Sequence, residues 1–384
     1  MKYTALFLSL GLLAATAQAG TYTWDGGGTD NNWSSATNWN PDTAAPLSAS
    51  DTRVQFNGTT RLTPTQDITT PFVLNRLDFL GGATYTTAFT IGGTQFQFVT
   101  NGVTHPRIAL DRNASCTINN PIEIPTGTTL FAEIGTYGVS LGGAITGGGA
   151  IDKQEQAGGL SLNSSANTFS GGLTVRAKDD DWFKANIYAS NAMGTGPVSL
   201  YGGTLATNRA SPGGLSFFGN TTHTNTISLF KNSPLFVEMP NGYATVTLNG
   251  TIDLNSYTLH LRGGGSGTVG GVISEGAASA VTKSDAGTWT LGGANTFTGR
   301  VTLVNGTLKL GAAGSLDPLV GIAFSCATGL FSVATATFDL NGRNQAVSQL
   351  SGRTTHAFLT NILTSASAAT LTVDQSANTV FNGR

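Results

Sequence analysis

Gly142-Gly143-Ala144-Ile145-Thr146-Gly147, followed by Asp152-Lys153, Leu160-Ser161-Leu162 and Ala166-Asn167-Thr168-Phe169-Ser170-Gly171, is written in this chain a second time. The second copy reads Gly270-Gly271-Val272-Ile273-Ser274, then Thr282-Lys283, Trp289-Thr290-Leu291 and Ala294-Asn295-Thr296-Phe297-Thr298-Gly299. Both copies run on into alternating segments, Leu173-Thr174-Val175 and Val301-Thr302-Leu303. Chance does not produce a match of this length, and internal similarity is the mark of a repeat architecture. Fainter copies surround the pair. Ala244 to Gly250 resembles Ala336 to Gly342, Gly203-Thr204-Leu205 resembles Gly306-Thr307-Leu308, and Ala377 to Arg384 echoes Ala294 to Arg300.

Working outward, the local pattern is strand and turn. Thr245-Val246-Thr247-Leu248 and Thr258-Leu259-His260-Leu261 alternate apolar with polar, the period of a strand with one buried face. Asn-Gly pairs recur at Asn57-Gly58, Asn101-Gly102, Asn241-Gly242, Asn249-Gly250, Asn305-Gly306 and Asn341-Gly342. Both residues tolerate the positive φ that tight turns demand. No helical stripe is sustained, and recurrent glycine costs a helix about 1 kcal/mol each time relative to alanine. Short strands and sharp turns suit a β-solenoid or a β-sandwich. Repetition of the sequence itself favours the solenoid, because a repeated coil meets the same surroundings each time. On that basis Phe169 and Phe297, and Leu162 and Leu291, are expected to stack inside equivalent coils. Asn167 and Asn295 are expected to form side-chain ladders at a turn.

The ends and composition bound the compartment. Lys2, an apolar run from Ala5 to Ala15 and Ala17-Gln18-Ala19 before Gly20 form a secretory signal peptide pattern with cleavage between Ala19 and Gly20. No later run is long and apolar enough for a membrane-spanning helix, so none is expected in the mature chain. Gly makes up 51 of 384 residues, charged residues only 10%, and the net charge is -2. Disorder would call for low hydrophobicity with high net charge. The hydrophobic share is 39%, which favours a β-rich fibrous character instead. A nucleic acid partner would need a basic footprint, and none is visible. Cys116 and Cys326 are not expected to pair. At about 20 residues and 4.8 Å per coil they would lie on the order of 50 Å apart. A disulfide needs Cα atoms within about 7 Å.

These residues resemble the autotransporter-associated β-strand repeat family, whose typical unit reads Gly-Thr-Leu-x-Leu-x-Gly-x-Asn-Thr-Tyr-x-Gly-Gly-Thr-x-Val. Here it is carried by Gly287 to Gly299 and by Gly158 to Val175, with Phe in place of the usual Tyr and Arg300 in place of the second Gly. Trp24-Asp25-Gly26-Gly27-Gly28, Trp33-Ser34 and Asn38-Trp39 also look like the opening of such proteins. The resemblance implies a right-handed parallel β-helix, exported to the cell surface or beyond, with passenger roles such as adhesion. It implies no shared catalytic site and no cofactor. An autotransporter proper ends in a membrane β-barrel. This sequence stops at Arg384 inside a repeat, so the repeats are expected to continue in a longer protein. Three regions follow: a signal peptide over 1–19, an aromatic cap region over 20–60 and a β-helical repeat region over 61–384.

Sites for chemistry are few. Asp179-Asp180-Asp181-Trp182 is the one dense acidic run and reads as a solvated loop; it lacks the spacing of a calcium loop. His105, His223, His260 and His356 are scattered without metal-ligand spacing, and His260, between Leu259 and Leu261, is expected to face solvent. Gly147-Gly148-Gly149 lacks the Lys-Ser/Thr of a phosphate loop, and Gly263-Gly264-Gly265-Ser266-Gly267 lacks the setting of a nucleophile elbow. No catalytic or metal site is therefore expected. Trp24, Trp33 and Trp39 have two readings: a hydrophobic cap over the first coil, or exposed rings that stack on sugars. The sequence points to an exported β-helical scaffold with a structural or adhesive role, facing surface polysaccharide or a neighbouring cell. A carbohydrate-active β-helix enzyme and a polysaccharide-binding module are the alternatives.

Overall fold

A computed structural model describes residues 20–177, 185–202, 214–237, 244–275, 279–325, 334–352 and 359–383. The described chain is a β-solenoid. In its three-walled turns it passes through a strand of a twelve-stranded sheet, then a strand of a thirteen-stranded sheet, then a third wall. One turn runs Thr129–Ile134, Val139–Leu141, Ile145–Thr146. A later one runs Ile252–Asp253, Thr258–Gly263, Ser266–Val269. The third wall is a four-stranded sheet early in the chain and a seven-stranded sheet later. Among the described residues no antiparallel face-to-face sheets, the sandwich alternative, form. The one antiparallel strand pairing among the described residues joins Thr21–Trp24 to Trp39–Asn40 at the start, with Trp24 opposite Trp39.

Alternation decides which side chains go in. Along Thr129–Ile134, Leu130, Ala132 and Ile134 are buried and the residues between them are half-buried. Parallel pairing in register then stacks like positions into columns. Val139, Leu160, Ala185, Leu215, Leu235 and Leu261 form one such column through the thirteen-stranded sheet. Each fully buried leucine, isoleucine or valine in it contributes about 1.5–3 kcal/mol. The same pairing shows that turns differ in length. The chain from Ala185 to its partner Leu215 is distinctly longer than the next turn, from Leu215 to its partner Leu235. Where a wide residue enters a column, its neighbour shrinks. Trp289 lies in register with Gly267, and a Cβ on Gly267 would run into the indole.

Corners are the weak points of such a coil, because backbone groups there leave the strand ladders and must still be paired when buried. Buried amides do this. Asn167 Oδ1 accepts from the Ile145 N–H of the preceding turn at 2.8 Å, and its Nδ2 donates to the Ala192 carbonyl of the next at 2.8 Å. Asn295 Oδ1 accepts from the Ile273 N–H at 3.0 Å, and its Nδ2 donates to the carbonyls of Gly293 and Ser315. Asn75, Asn120 and Asn225 likewise donate to carbonyls of neighbouring turns. The expected ladder of asparagine on asparagine is thus corrected. Asn167 and Asn295 each bond to backbone of the turn before and the turn after, not to their like.

The two sequence copies also occupy different walls. Ile145–Thr146 belongs to the four-stranded sheet, but its counterpart Ile273–Ser274 ends the twelve-stranded one. Leu162 lies in the thirteen-stranded sheet and Leu291 in the seven-stranded one. Leu162, Leu291, Phe169 and Phe297 are all buried, yet Leu162 and Leu291 share no column along a common wall. Because turns vary in length, the second copy enters one wall out of phase with the first. The motif needs only a strand one turn before and backbone one turn after, which every corner offers. Replacing Asn295 by Ala should leave the Ile273 N–H unpaired, while the Ser315 carbonyl keeps the backbone N–H of residue 295, and cost about 1–3 kcal/mol, read as a lower urea midpoint. A change below about 0.5 kcal/mol, the range of an ordinary surface substitution, would show that the amide does not clamp the turns.

Candidate functional site

Of the two residues flanking the expected cleavage point, Ala19 lies outside the described residues and Gly20 is exposed. The three tryptophans come together, but not as a surface. Trp24, Trp33 and Trp39 are 0%, 0% and 1% exposed. Trp39 meets Trp24 edge-on at 5.1 Å and 85°, and meets Trp33 at 5.4 Å and 86°. Trp33 packs further onto Phe72 and Phe96, each at 5.4 Å. Trp39 Nε1 donates to the Trp33 carbonyl at 2.8 Å, and Trp24 Nε1 to that of Arg61 at 3.3 Å. No ring presents a face to solvent, so sugar stacking on these three residues is corrected. The spacing brings the rings together inside the first turns, where edge-to-face packing is favourable.

The outer face of the twelve-stranded sheet carries a cluster of charges. Arg53, Arg76 and Arg107 lie in register on three successive strands, and Phe131 and Asp152 follow them in the same column. Asp78, one column away, is 1% exposed and accepts from Arg53 Nε at 2.5 Å. Its carboxylate lies 3.4 Å from Arg76 and 4.0 Å from Arg107. Burial pushes the Asp78 carboxyl above its ordinary pKa, against the pull of Arg53. Arg107 Nη1 donates to Glu133 at 2.7 Å. Further along, Arg176 bonds Asp152 and lies 4.5 Å over the Tyr201 ring, which stacks on Phe230. His105 is exposed and stacks on Phe131 at 4.8 Å.

Inside, two lysines occupy the same place in the two sequence copies. Lys153 and Lys283 are both 0% exposed. Lys153 Nζ donates to the carbonyls of Gln154 and Gln156. Lys283 Nζ donates to those of Ser284, Asp285 and Asn305 at 2.6, 2.7 and 3.0 Å. Burial lowers the Lys283 pKa to about 8. Three charge-assisted bonds favour the ammonium form, which stands between Leu261 and Leu303 with its head at a corner. Neither lysine reaches a surface where chemistry is done. The repeat of Lys at one position was visible in the sequence. Its inward direction required the register.

The remaining candidates are equally structural. Cys116 is a buried free thiol, and burial pushes its pKa up to about 11. Cys326, His356 and the run Asp179-Asp180-Asp181-Trp182 lie outside the described residues. His260 is on the outer side of its strand as expected. It is nevertheless half-covered, and burial, then Arg262, lower its pKa to about 4. His223 points inward at 1% exposure beside Phe217, with both ring nitrogens unpartnered. Among the described residues no group of three or more His, Cys, Asp or Glu could hold a metal. A depression of about 130 Å³ beside Gly82 and Gly135 is smaller than a small-molecule site. Arg112, which lines it, already donates to the carbonyls of Thr87, Leu80 and Gly58.

Residues 155–177 and 281–310 match the family model described as Passenger-associated-transport-repeat. These two stretches are similar to passenger-associated transport repeats. Nothing among curated proteins or solved structures matches it. The repeat at 155–177 spans the clamp residue Asn167, and that at 281–310 spans Lys283, Trp289 and Asn295. Each matched stretch thus contains one asparagine that bonds to the turn before it and the turn after it.

Burial lowers the His223 pKa to about 4, against roughly 6.5 in an unfolded chain. The unfolded state therefore binds more protons between those values, and stability falls as pH drops through that window. The loss from this group is up to about 3 kcal/mol. The urea midpoint should fall between pH 7 and 4.5, and His223→Leu should remove part of that fall. An undiminished fall in the variant would show that His223 is not held neutral in the core.

Proposed function

We propose that this chain is an exported β-solenoid passenger, displayed at the cell surface or released, with a structural or adhesive role and no catalytic one. The observation that carries this is the pair of passenger-associated transport repeats set in one continuous run of parallel turns. Stacked turns add stability through neighbour contacts, so a rod of this kind can be extended and can fold turn by turn. A chain that folds progressively suits passage through a membrane unfolded. The amino-terminal pattern over 1–19 supports export, with Ala19 and Gly20 as the cleavage pair. Among the described residues no helix is long and apolar enough to cross a membrane.

The side chains support a scaffold over an enzyme. The carboxylates of Asp78, Asp152, Asp285 and Asp339 face cationic partners one turn away, in the manner of struts. A catalytic β-helix would gather carboxylates and bases on one open face with perturbed, accessible groups. We read the buried aromatic start, Trp24, Trp33 and Trp39, as the closure of the first turn. The partner of such a scaffold would be a surface polysaccharide or a neighbouring cell.

Export is checked by fractionating cells that express the full chain and by mass spectrometry of its amino terminus. The expected result is a protease-accessible or secreted protein beginning at Gly20 or Thr21. Leu10→Arg, which breaks the apolar run, should retain it inside with Met1 or Lys2 at its start. An intact amino terminus on cytoplasmic wild-type protein would overturn the proposal.

A further inference from the structure

We propose that the column Arg53–Arg76–Arg107 is a binding site for the oxyanions of a linear acidic polysaccharide lying along the solenoid axis. The proposal rests on the extracellular reading above and names the surface and partner class through which adhesion would work.

Three guanidiniums stand in register on consecutive turns. At about 4.8 Å per strand they span about 10 Å. Like charges directly opposite one another on neighbouring strands are destabilising. This chain is only 10% charged, and most of its described cations sit beside a carboxylate or a carbonyl. Here three cations face two anions. Asp78 is committed to Arg53 and Glu133 to Arg107. Arg76, in the middle, has one ion contact at 3.4 Å and a buried Nε without a partner. Arg107 Nε and Asp78 Oδ1 are buried and face each other at 4.0 Å, an ion contact too long for a hydrogen bond. The three arginine side chains remain 33%, 22% and 31% exposed, so the cluster is reachable from outside although the Nε atoms of Arg76 and Arg107 are buried.

A planar guanidinium fork is matched by an oxyanion, carboxylate or sulfate, that accepts two bonds at once. An extended polymer laid along the axis would meet one turn after another, and linked contacts raise the overall affinity far above that of one group. The next rung after Arg107 is Phe131, flanked by His105. These rings offer an apolar edge to the face of a sugar adjoining the charged units. Asp152 then closes the column. The stripe is therefore three charges long and bounded, which suits a sparsely charged glycan. A nucleic acid has a charge at every unit and calls for a broader basic footprint than a chain of net charge -2 supplies.

The test uses the purified mature chain, so its outcome does not depend on where the cell places the protein. Binding is measured to polygalacturonate, dextran sulfate, unsubstituted dextran and a single-stranded DNA oligomer. Binding to an acidic glycan is expected, weakening steeply from low salt to roughly 0.5 M. Arg76→Gln should weaken it by about tenfold or more, equivalent to about 1.4 kcal/mol. The exposed Arg300→Gln should leave it unchanged. Arg76→Lys keeps the charge and loses the fork, so an intermediate loss is expected, and it serves should Arg76→Gln fail to fold by circular dichroism. Preference for polygalacturonate assigns the site to uronate carboxylates, and preference for dextran sulfate assigns it to sulfate esters. The proposal is overturned by absence of binding to both acidic polymers, by equal binding to plain dextran, by tighter binding to DNA, or by folded Arg76 variants that bind like the wild type.

Discussion

Parallel pairing in register, one turn upon the next, is the constraint from which the rest of this molecule follows. Because Val139 must meet Leu160, and Leu160 must meet Ala185, no inward position is free of the ones before and after it. Columns of aliphatic side chains satisfy that condition at every level. A departure in one turn must be answered in the next, as Gly267 answers Trp289. The strands supply hydrogen bonds along the walls and leave the corners unpaired. Buried Asn and Lys complete the pairing there, with Asn167 and Asn295 reaching to both neighbouring turns and Lys153 and Lys283 gathering carbonyls. A solenoid of this kind spends its buried polar groups on holding turns together, which is why so few of them are left for chemistry.

The same register explains the low charge of the chain. A surface residue in a stack stands about 4.8 Å from its equivalents, and like charges at that spacing repel. Thr, Ser and Asn can occupy such columns without penalty. Charges are admitted where the next turn supplies the opposite sign, as in Arg107 with Glu133, Arg262 with Asp285 and Lys309 with Asp339. Solvent-exposed pairs of this type contribute little stability each. Their role is to make charge tolerable within a stack. The column of Arg53, Arg76 and Arg107 departs from that pattern, with Asp78 drawn into burial to offset part of it.

The repeated stretches made the β-solenoid legible, since alternation, Asn-Gly turns and a duplicated motif all require stacked strands. What they did not reveal is phase. Asn167 and Asn295 align in sequence, and that alignment suggests one ladder. The intervening turns differ in length, as the long step from Ala185 to Leu215 and the short one from Leu215 to Leu235 show, so the two amides stand at corners of different walls. The arginine column was hidden for the same reason. Arg53, Arg76 and Arg107 are unevenly spaced along the chain and fall outside the clear motifs; only the pairing of strands shows them adjacent. Trp24, Trp33 and Trp39 were legible as a cluster but not as to direction. A strand buries alternate residues, and nothing in the spacing tells which side of the first strand has a neighbour.

That direction is settled by the edge of the sheet. The first strand has a following strand on one side only, and Trp39–Asn40 returns antiparallel on the other. The return places Trp39 against both Trp24 and Trp33, so three large rings occupy the interior at the level where no earlier turn exists to fill it. Smaller side chains would leave a void there, and a void in a packed interior costs on the order of 24 cal/mol per Å³. Large aromatic side chains at the start and aliphatic columns thereafter are therefore two answers to one packing problem. Recognition of a partner has to be sought outside this core, on the walls, where the register arranges side chains in straight lines at a fixed rise. A surface ruled in that way is suited to a linear partner more than to a compact one.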